Sequence, residues 1–287
     1  MKVTRAALPF LPLCERLLPS RMAGLPLALL KATALELAIL AGHLLLYPSG
    51  ITQERRTPVP ALPTDGAAQL PTRAKPPVVL LHGFIDNRSV FVLLRRSLAQ
   101  HGRQRIESLN YSPLTCDIRA AAELFGQHIE EVCERTGSPQ VDVVGHSLGG
   151  LIARYYVQRL GGDTRVRTLV TLGTPHAGTR VMPVANAHPI VRQMRPGSPV
   201  LDELALPASD CRTHFVSFWS DLDHVMDPVE TARIDHPDLR AENVRVTGIG
   251  HLALPVHPAV ANGIREVLDT ARPGEPAAEH TGGLTVA

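Results

Sequence analysis

The chain has 287 residues, a length that suits one sizeable domain with appended segments better than two full domains. Charged residues make up 20% of it, the net charge is +2, and no basic run is interleaved with aromatic side chains, so we expect no nucleic-acid partner. The four cysteines show no C-x-x-C spacing, which argues against a zinc site.

The first element along the chain is an apolar stretch at residues 22–47, within an N-terminal segment placed at residues 1–47. The stretch is long enough to span a bilayer, which takes about 20 residues. Its leucines contribute roughly −5 kcal/mol to the free energy of membrane insertion, whereas Lys31 and Glu36 add about 5 to 7 kcal/mol. The net free energy of insertion is therefore close to zero. Two interpretations stay open: a membrane anchor, or a helix lying on the membrane surface or packed on the following domain.

Residues 48–77 contain seven prolines and predict an extended linker. From residue 78 onward, short apolar runs alternate with amphipathic patterns, which is typical of βα units and a mostly parallel sheet with helices on both faces. Strands are predicted at residues 78–81, 105–109, 141–144, 166–172, 214–218 and 244–249, and helices at residues 89–100, 117–135, 148–160 and 258–271.

This alternation places one α/β domain at residues 78–271. Residues 176–212 within it are rich in Pro, Gly and Ala without a clear period, and we interpret them as a lid-like or substrate-facing insertion. Residues 272–287 are small and polar and predict a disordered tail.

The strongest motif is Gly145-His146-Ser147-Leu148-Gly149, which fits G-x-S-x-G. It follows a predicted buried strand and opens a predicted helix, the context required of a turn that presents a nucleophilic serine. Glycines two positions either side of Ser147 leave room for such a sharp turn. The context predicts that Ser147 is a catalytic nucleophile.

A serine needs a base to remove its proton, and the base needs an acid to orient it and to stabilise its charge. His251 follows the last predicted strand and is the predicted base. Three acids, Asp221, Asp223 and Asp227, follow the strand at residues 214–218. Asp223 is favoured because the apolar pair after His224 could bury its carboxylate, with Asp221 second.

The developing oxyanion needs backbone N–H donors. The turn supplies the N–H of Leu148, and the loop after the first predicted strand supplies that of Phe84, since Gly83 allows close approach of the backbone. This chemistry requires no metal and no cofactor. All of these residues lie beyond Val78, so we expect a chain without residues 1–47 to stay active.

Together these motifs resemble bacterial triacylglycerol lipases and related esterases of the α/β-hydrolase fold. The resemblance spans roughly residues 78–268. It rests on these four segments: Val78-Val79-Leu80-Leu81-His82-Gly83-Phe84, Gly145–Gly149, Thr171-Leu172-Gly173-Thr174-Pro175-His176-Ala177-Gly178 and Gly250-His251. It implies a triad of Ser147, Asp223 and His251. The Thr-Pro-His-Ala-Gly segment is also similar to the inositol deacylases that act on glycosylphosphatidylinositol.

The resemblance implies a carboxylic ester hydrolase that acts on acylglycerols or related lipid esters. The apolar stretch at residues 22–47, together with the resemblance to bacterial proteins, predicts a membrane-associated or exported protein of the bacterial envelope, associated with the membrane through that stretch. An acyltransferase would use the same triad, with an alcohol in place of water. A catalytically silent binding module is the least favoured alternative, since every catalytic role has an occupant.

Overall fold

The computed structural model describes residues 27–51, 75–84, 86–111, 117–181, 188–270 and 284–285. The strands are β1 (Val78–Leu81), β2 (Ile106–Leu109), β3 (Val141–His146), β4 (Val166–Leu172), β5 (His214–Ser220), β6 (Ala241–Thr247) and β7 (Leu284–Thr285). The helices are α1 (Leu27–Gly50), α2 (Val92–Gln100), α3 (Ile118–Thr136), α4 (Leu148–Arg159), α5 (Pro189–Gln193), α6 (Pro199–Ala205) and α7 (Pro258–Thr270), and 3₁₀ turns lie at Arg88–Phe91, Gly162–Thr164 and Val229–Ala232.

The strands form one sheet in the order β2-β1-β3-β4-β5-β6-β7, and every neighbouring pair is parallel. Alternate residues of each central strand point to opposite faces, so each face carries its own apolar core. On one face, Val143 and Phe215 pack with Phe125 of α3 and with α4. On the other face, Val144 packs with Leu94 of α2 and with α7. The predicted sheet with helices on both faces is therefore confirmed.

Local signals in the sequence set the ends of α3, which covers one face of the sheet. The Asp117 side chain accepts a hydrogen bond from the backbone N–H of Arg119, which satisfies a donor of the first helical turn. Gly137 ends the helix with φ 65°, a left-handed conformation that costs a residue without a Cβ little. Local residues therefore set both ends of α3, and its apolar stripe packs against the sheet.

Helix α1 lies against the domain at residues 78–271 rather than apart from it. Its buried Ala32 and the half-buried Ile39 face the domain. At its C-terminal end, the side-chain amides of Asn87 and Asn110 donate to the backbone oxygens of Tyr47 (2.9 Å) and Gly50 (2.6 Å). These contacts hold α1 beside the carboxyl ends of β1 and β2.

Several predicted boundaries differ from the structure. Strand β6 begins three residues before the predicted 244–249, because its first half is polar: Glu242 bonds to the His214 ring and Asn243 to the backbone of Ile234. The predicted strand at 141–144 extends to residue 146 as β3.

Other predicted segments are only partly described. The insertion at 176–212 contains α5 and α6, two helices too short to produce a clear period, while its residues 182–187 lie outside the described residues. Residues 1–26, most of the 48–77 linker and most of the 272–287 tail also lie outside them, although Leu284–Thr285 pair with β6. The domain boundaries therefore stay predictions.

Candidate active site

Ser147 occupies a strained turn between β3 and α4. Its backbone has φ 52° and ψ −122°, and in the described part of the chain it is the one residue other than glycine with a positive φ. Such a conformation costs of order 1 to 3 kcal/mol and persists only where the surrounding structure enforces it. Here the Ser147 N–H donates to the oxygen of Leu172, and its carbonyl accepts from the Thr174 hydroxyl, both at 2.9 Å. The turn is thus held by β4 and the loop that follows it.

The glycines of the motif make room for this turn. A Cβ on Gly145 would lie 2.5 Å from the Cα of Gly150. A Cβ on Gly149 would lie 2.3 Å from the backbone oxygen of Leu81, at the end of β1. Both distances are well below van der Waals contact with backbone atoms that cannot move aside. The G-x-S-x-G pattern is therefore a packing requirement of this turn.

Asp223 and His251 form a buried pair at the carboxyl ends of β5 and β6. The Nδ1 atom of His251 lies 2.7 Å from Oδ2 of Asp223. The other oxygen of Asp223 accepts the backbone N–H groups of Val225 (2.9 Å) and Met226 (3.2 Å). Asp223 is 1% exposed, so these bonds replace its hydration. Gly173 lies beneath the pair, where a Cβ would come within 2.9 Å of both partners.

The two groups shift each other's pKa in opposite directions. Burial opposes the charged form of Asp223, but the charge of His251, its hydrogen bond and the two backbone N–H groups outweigh burial and lower the pKa of the carboxyl. Burial likewise opposes the imidazolium of His251, but Asp223, and at longer range Glu36 and Asp86, raise the pKa of the imidazole above its ordinary value. The pair is arranged to stabilise a positive charge on the ring.

The other two acids predicted as alternatives lie elsewhere. The Asp221 carboxylate forms an ion pair with Arg245 at 2.9 Å, and that guanidinium lies over the Trp219 ring. Asp227 is exposed. Of the three candidates, Asp223 is the one that the structure pairs with His251.

The loop after β1 brings Gly83 and Phe84 next to Ser147. A Cβ on Gly83 would lie 3.2 Å from the Cβ of Ser147, so the backbone passes close to the serine. The Tyr111 hydroxyl donates to the oxygens of His82 (2.9 Å) and Gly83 (3.1 Å), and the Tyr111 ring stacks on that of His82. Leu148 is the first residue of α4, where backbone N–H groups have no acceptor within the helix. The structure therefore brings the loop that carries Phe84 and the start of α4 beside the serine, and the oxyanion role of these two N–H groups stays a prediction.

A cavity of about 420 Å³ opens above these residues. Ser147 and His251 both line it. The rest of its wall is mostly apolar, and is formed by Leu40, Leu44, Phe84, Pro175, Met194, Val225, Met226 and Leu252, with the polar residues His43, Tyr47, Asp86, His146 and Thr179.

Four of the lining residues come from α1, which sequence reasoning assigned no part in the site. Leu40, His43, Leu44 and Tyr47 line the cavity, and His43 is 8% exposed, with no hydrogen-bond partner for its Nε2 among the described residues. Glu36, Leu40, His43 and Tyr47 recur at the spacing of one helical face, a signal that the abundance of leucine conceals. Helix α1 therefore forms part of the wall of the site, which is a physical reason to expect lower activity from a chain without residues 1–47.

Asp86 is an acid in the wall of the cavity that the sequence did not single out. Its carboxylate lies 3.6 Å from Nδ1 of His146. Burial opposes its charge, but His146, His43 and His82 outweigh burial and lower its pKa. Across the ranges that the structure describes, no three His, Cys, Asp or Glu side chains are grouped so that they could hold a metal ion.

Comparison with known sequences finds one matching family profile and similarity to two bacterial lipases. The sequence profile of the alpha/beta hydrolase fold family matches residues 76–205. The chain is 28% identical over 139 residues to a triacylglycerol lipase of Burkholderia plantarii, which covers 41% of this chain and 38% of that protein. It is 29% identical over 111 residues to a triacylglycerol lipase of Pseudarthrobacter phenanthrenivorans, covering 36% of this chain and 34% of that protein. The chain thus matches 38% and 34% of the length of these relatives.

Solved structures share the same fold. Aspergillus fumigatus lipase B superposes with a TM-score of 0.64 at 16% identity, covering 83% of this chain and 69% of that one. The mature lipase BlEst2 of Bacillus licheniformis gives a TM-score of 0.57 at 16% identity, covering 71% of this chain and 96% of that one. The chain therefore has the α/β-hydrolase fold, and the curated relatives to which its sequence is similar are bacterial triacylglycerol lipases.

Proposed function

We propose that this protein is a serine hydrolase that cleaves carboxylic esters, with Ser147, His251 and Asp223 as its catalytic triad. The observation that carries the proposal is that one cavity is lined both by a strained serine and by a histidine whose Nδ1 is bonded to a buried carboxylate. The similarity to triacylglycerol lipases supports ester chemistry.

The geometry suits acyl transfer through a covalent intermediate. Because Asp223 engages Nδ1 of His251, the Nε2 atom is the one available to take the Ser147 proton. The serine oxygen then adds to the ester carbonyl, and the N–H groups of Leu148 and Phe84 stabilise the oxyanion. His251 returns its proton to the leaving alcohol, which breaks the ester C–O bond and leaves Ser147 acylated.

Water completes the cycle by the same route. His251 takes a proton from a water molecule as the water oxygen adds to the acyl carbon, and the second tetrahedral intermediate collapses to release the acid and the Ser147 hydroxyl. During both additions the buried carboxylate of Asp223 stabilises the imidazolium. One oxyanion donor contributes roughly 3 to 4 kcal/mol to such a transition state.

The cavity favours an apolar acyl group. Its walls are leucine, methionine, phenylalanine, proline and valine side chains, which would bury an acyl chain at about 0.8 kcal/mol per methylene. We therefore propose acylglycerols or related lipid esters as the substrate class. The catalytic unit is residues 78–271 together with α1, since α1 supplies part of the wall.

We further propose that the protein associates with a lipid surface through α1. Residues Leu29–Gly50 are long and apolar enough to cross a membrane, a property shared with signal sequences. Yet α1 contacts the domain, and its other side exposes leucines, among them Leu37 (62%) and Leu45 (82%). A helix lying in the interface with this side toward lipid keeps every contact with the domain, whereas a spanning helix would lose them. We place the protein at the bacterial envelope on this basis.

A chain-length series of p-nitrophenyl esters tests the proposed function. Purified wild type should hydrolyse the esters, with kcat/KM rising from acetate to longer chains as methylenes enter the cavity. Ser147→Ala should fold normally, by circular dichroism, and lose at least 99% of the activity. Retention of more than a hundredth of the rate by a folded Ser147→Ala protein would refute the assignment of Ser147.

A further inference from the structure

Helix α1 reaches the loop that carries His251 through one carboxylate. The Oε2 atom of Glu36 accepts the backbone N–H of Leu252, and its Oε1 accepts that of Ala253, both at 2.9 Å. The two donors follow His251 directly in sequence, whereas Glu36 lies more than 200 residues away. The carboxylate thus binds both N–H groups of the first turn after the histidine.

The fit around this carboxylate is close. Gly250 packs against it, since a Cβ at that position would lie 2.5 Å from Cδ of Glu36. The turn then closes on itself, with the N–H of Leu254 donating to the oxygen of His251 and that of Val256 to the oxygen of Ala253. Gly250, Leu252 and Ala253 therefore share one anchor, and that anchor is the side chain of Glu36.

The opposite end of α1 is tied to the domain by independent contacts. Asn87 bonds to the oxygen of Tyr47, Arg88 to that of Ser49 (3.1 Å) and Asn110 to that of Gly50. These bonds fix the position of α1 without involving Glu36. A carboxylate that accepts two backbone N–H groups on such a support can restrict the loop far more than a free side chain, because hydrogen bonds to a charged group are the stronger kind.

We propose that Glu36 is a positioning residue that holds the His251 loop in its catalytic place. This inference rests on the proposed function, in which His251 is the base. It makes α1 a part of the catalytic apparatus: a chain from which α1 has moved away would keep Ser147 and Asp223 and lose the fixed position of the histidine.

The charge of Glu36 should affect the pH dependence of kcat/KM, a quantity that a purely structural role would not change. The charged and titratable groups that face His251 are Asp223, Glu36, Asp86 and His146. Glu36 is one of the carboxylates that raise the pKa of His251. Removing its charge should therefore move the acid limb of kcat/KM to lower pH, in addition to slowing turnover.

The test compares three substitutions by steady-state kinetics on a short-chain p-nitrophenyl ester. Rates are expressed per Ser147 that labels with excess fluorophosphonate, so that unfolded molecules do not count. Glu36→Gln should lower kcat roughly tenfold at the pH optimum, change KM less than about twofold, and move the acid limb to lower pH. Glu36→Asp is one methylene shorter and cannot reach both N–H groups, so it should lower kcat and leave the acid limb in place. Gly250→Ala should displace the carboxylate and resemble Glu36→Asp.

Asp221→Asn is the matched control, because it also turns a carboxylate into an amide but its partner is Arg245. Its kinetics should stay close to those of wild type. If Glu36→Gln has the same kcat and the same acid limb as Asp221→Asn, the inference is overturned. It is also overturned if Glu36→Gln changes KM and leaves kcat unchanged. A wild type that neither labels at Ser147 nor hydrolyses esters would overturn the proposed function itself, which separates the two failures.

Discussion

Replacing Asp223 by asparagine tests the acid of the triad, the member for which the sequence contains three candidates. The Oδ1 position of Asp223 receives two backbone N–H groups, from Val225 and Met226. An asparagine oxygen can accept both, whereas an asparagine NH₂ there would face two donors. The amide of Asp223→Asn should therefore keep its oxygen in that position and turn its NH₂ toward Nδ1 of His251.

This orientation reverses the hydrogen bond that matters. With an NH₂ donor 2.7 Å away, Nδ1 of His251 must act as the acceptor, so the ring proton moves to Nε2. A protonated Nε2 cannot take the proton of Ser147. In a Ser-His-Asp triad this change lowers kcat about 10⁴-fold, which corresponds to roughly 5.5 kcal/mol of transition-state stabilisation. We expect a loss of that order for Asp223→Asn, with little change in KM.

Asp221→Asn provides the comparison, since it removes a carboxylate two residues away. Its partner Arg245 is half-exposed, so loss of this ion pair should cost about 0 to 1 kcal/mol of stability. We expect a kcat close to that of wild type, well within a tenfold change. Both variants are measured on one short-chain ester after circular dichroism confirms folding. The reverse ordering would refute the assignment of Asp223, and two mild effects would refute both residues and transfer the role to Asp227.

Three further outcomes follow from the site. The kcat/KM of wild type should fall at acidic pH with a midpoint above the ordinary histidine value of 6.5, because the base must be neutral and the pKa of His251 is raised; a rate that stays flat from about pH 5 to 8 in a stable enzyme would contradict this. Gly173→Ala should lower kcat at least tenfold, because its Cβ would press on Asp223 and His251, and a variant with full activity would show that the pair tolerates displacement. Deletion of residues 1–50 should lower activity by at least tenfold in a protein that remains folded by circular dichroism, and undiminished turnover would show that the wall formed by α1 is dispensable.

Much of the fold could be predicted because its signals are local. The central strands β1 and β3 are short, fully buried and mostly apolar, as expected where helices cover both faces of a parallel sheet. The turn at Ser147 could be located because its steric demands fall on neighbouring positions of the chain, Gly145 and Gly149. The start of strand β6 was predicted wrongly because its first residues are polar. The side chains of Glu242 and Asn243 form hydrogen bonds with residues elsewhere in the chain, and a periodic pattern does not reveal such partners.

The part played by α1 could not be predicted, because it depends on contacts across the whole chain. Nothing near Glu36 in sequence indicates that its carboxylate meets the N–H groups of Leu252 and Ala253. In an apolar stretch, Glu36 was counted as a cost of membrane insertion, although its carboxylate contacts the domain. The choice of Asp223 rested on burial by the apolar residues after it. The structure adds that the backbone of those residues also binds the carboxylate.

The measurement that tests the central claim most directly is the site of covalent labelling by a fluorophosphonate. Wild type is incubated with the probe at neutral pH, digested, and the modified peptide is identified by mass spectrometry. The triad predicts one label per chain, on Ser147, formed at a rate that falls with protonation of His251 and absent from a folded Ser147→Ala protein. A folded wild type without label, or with label on another residue, would contradict the account.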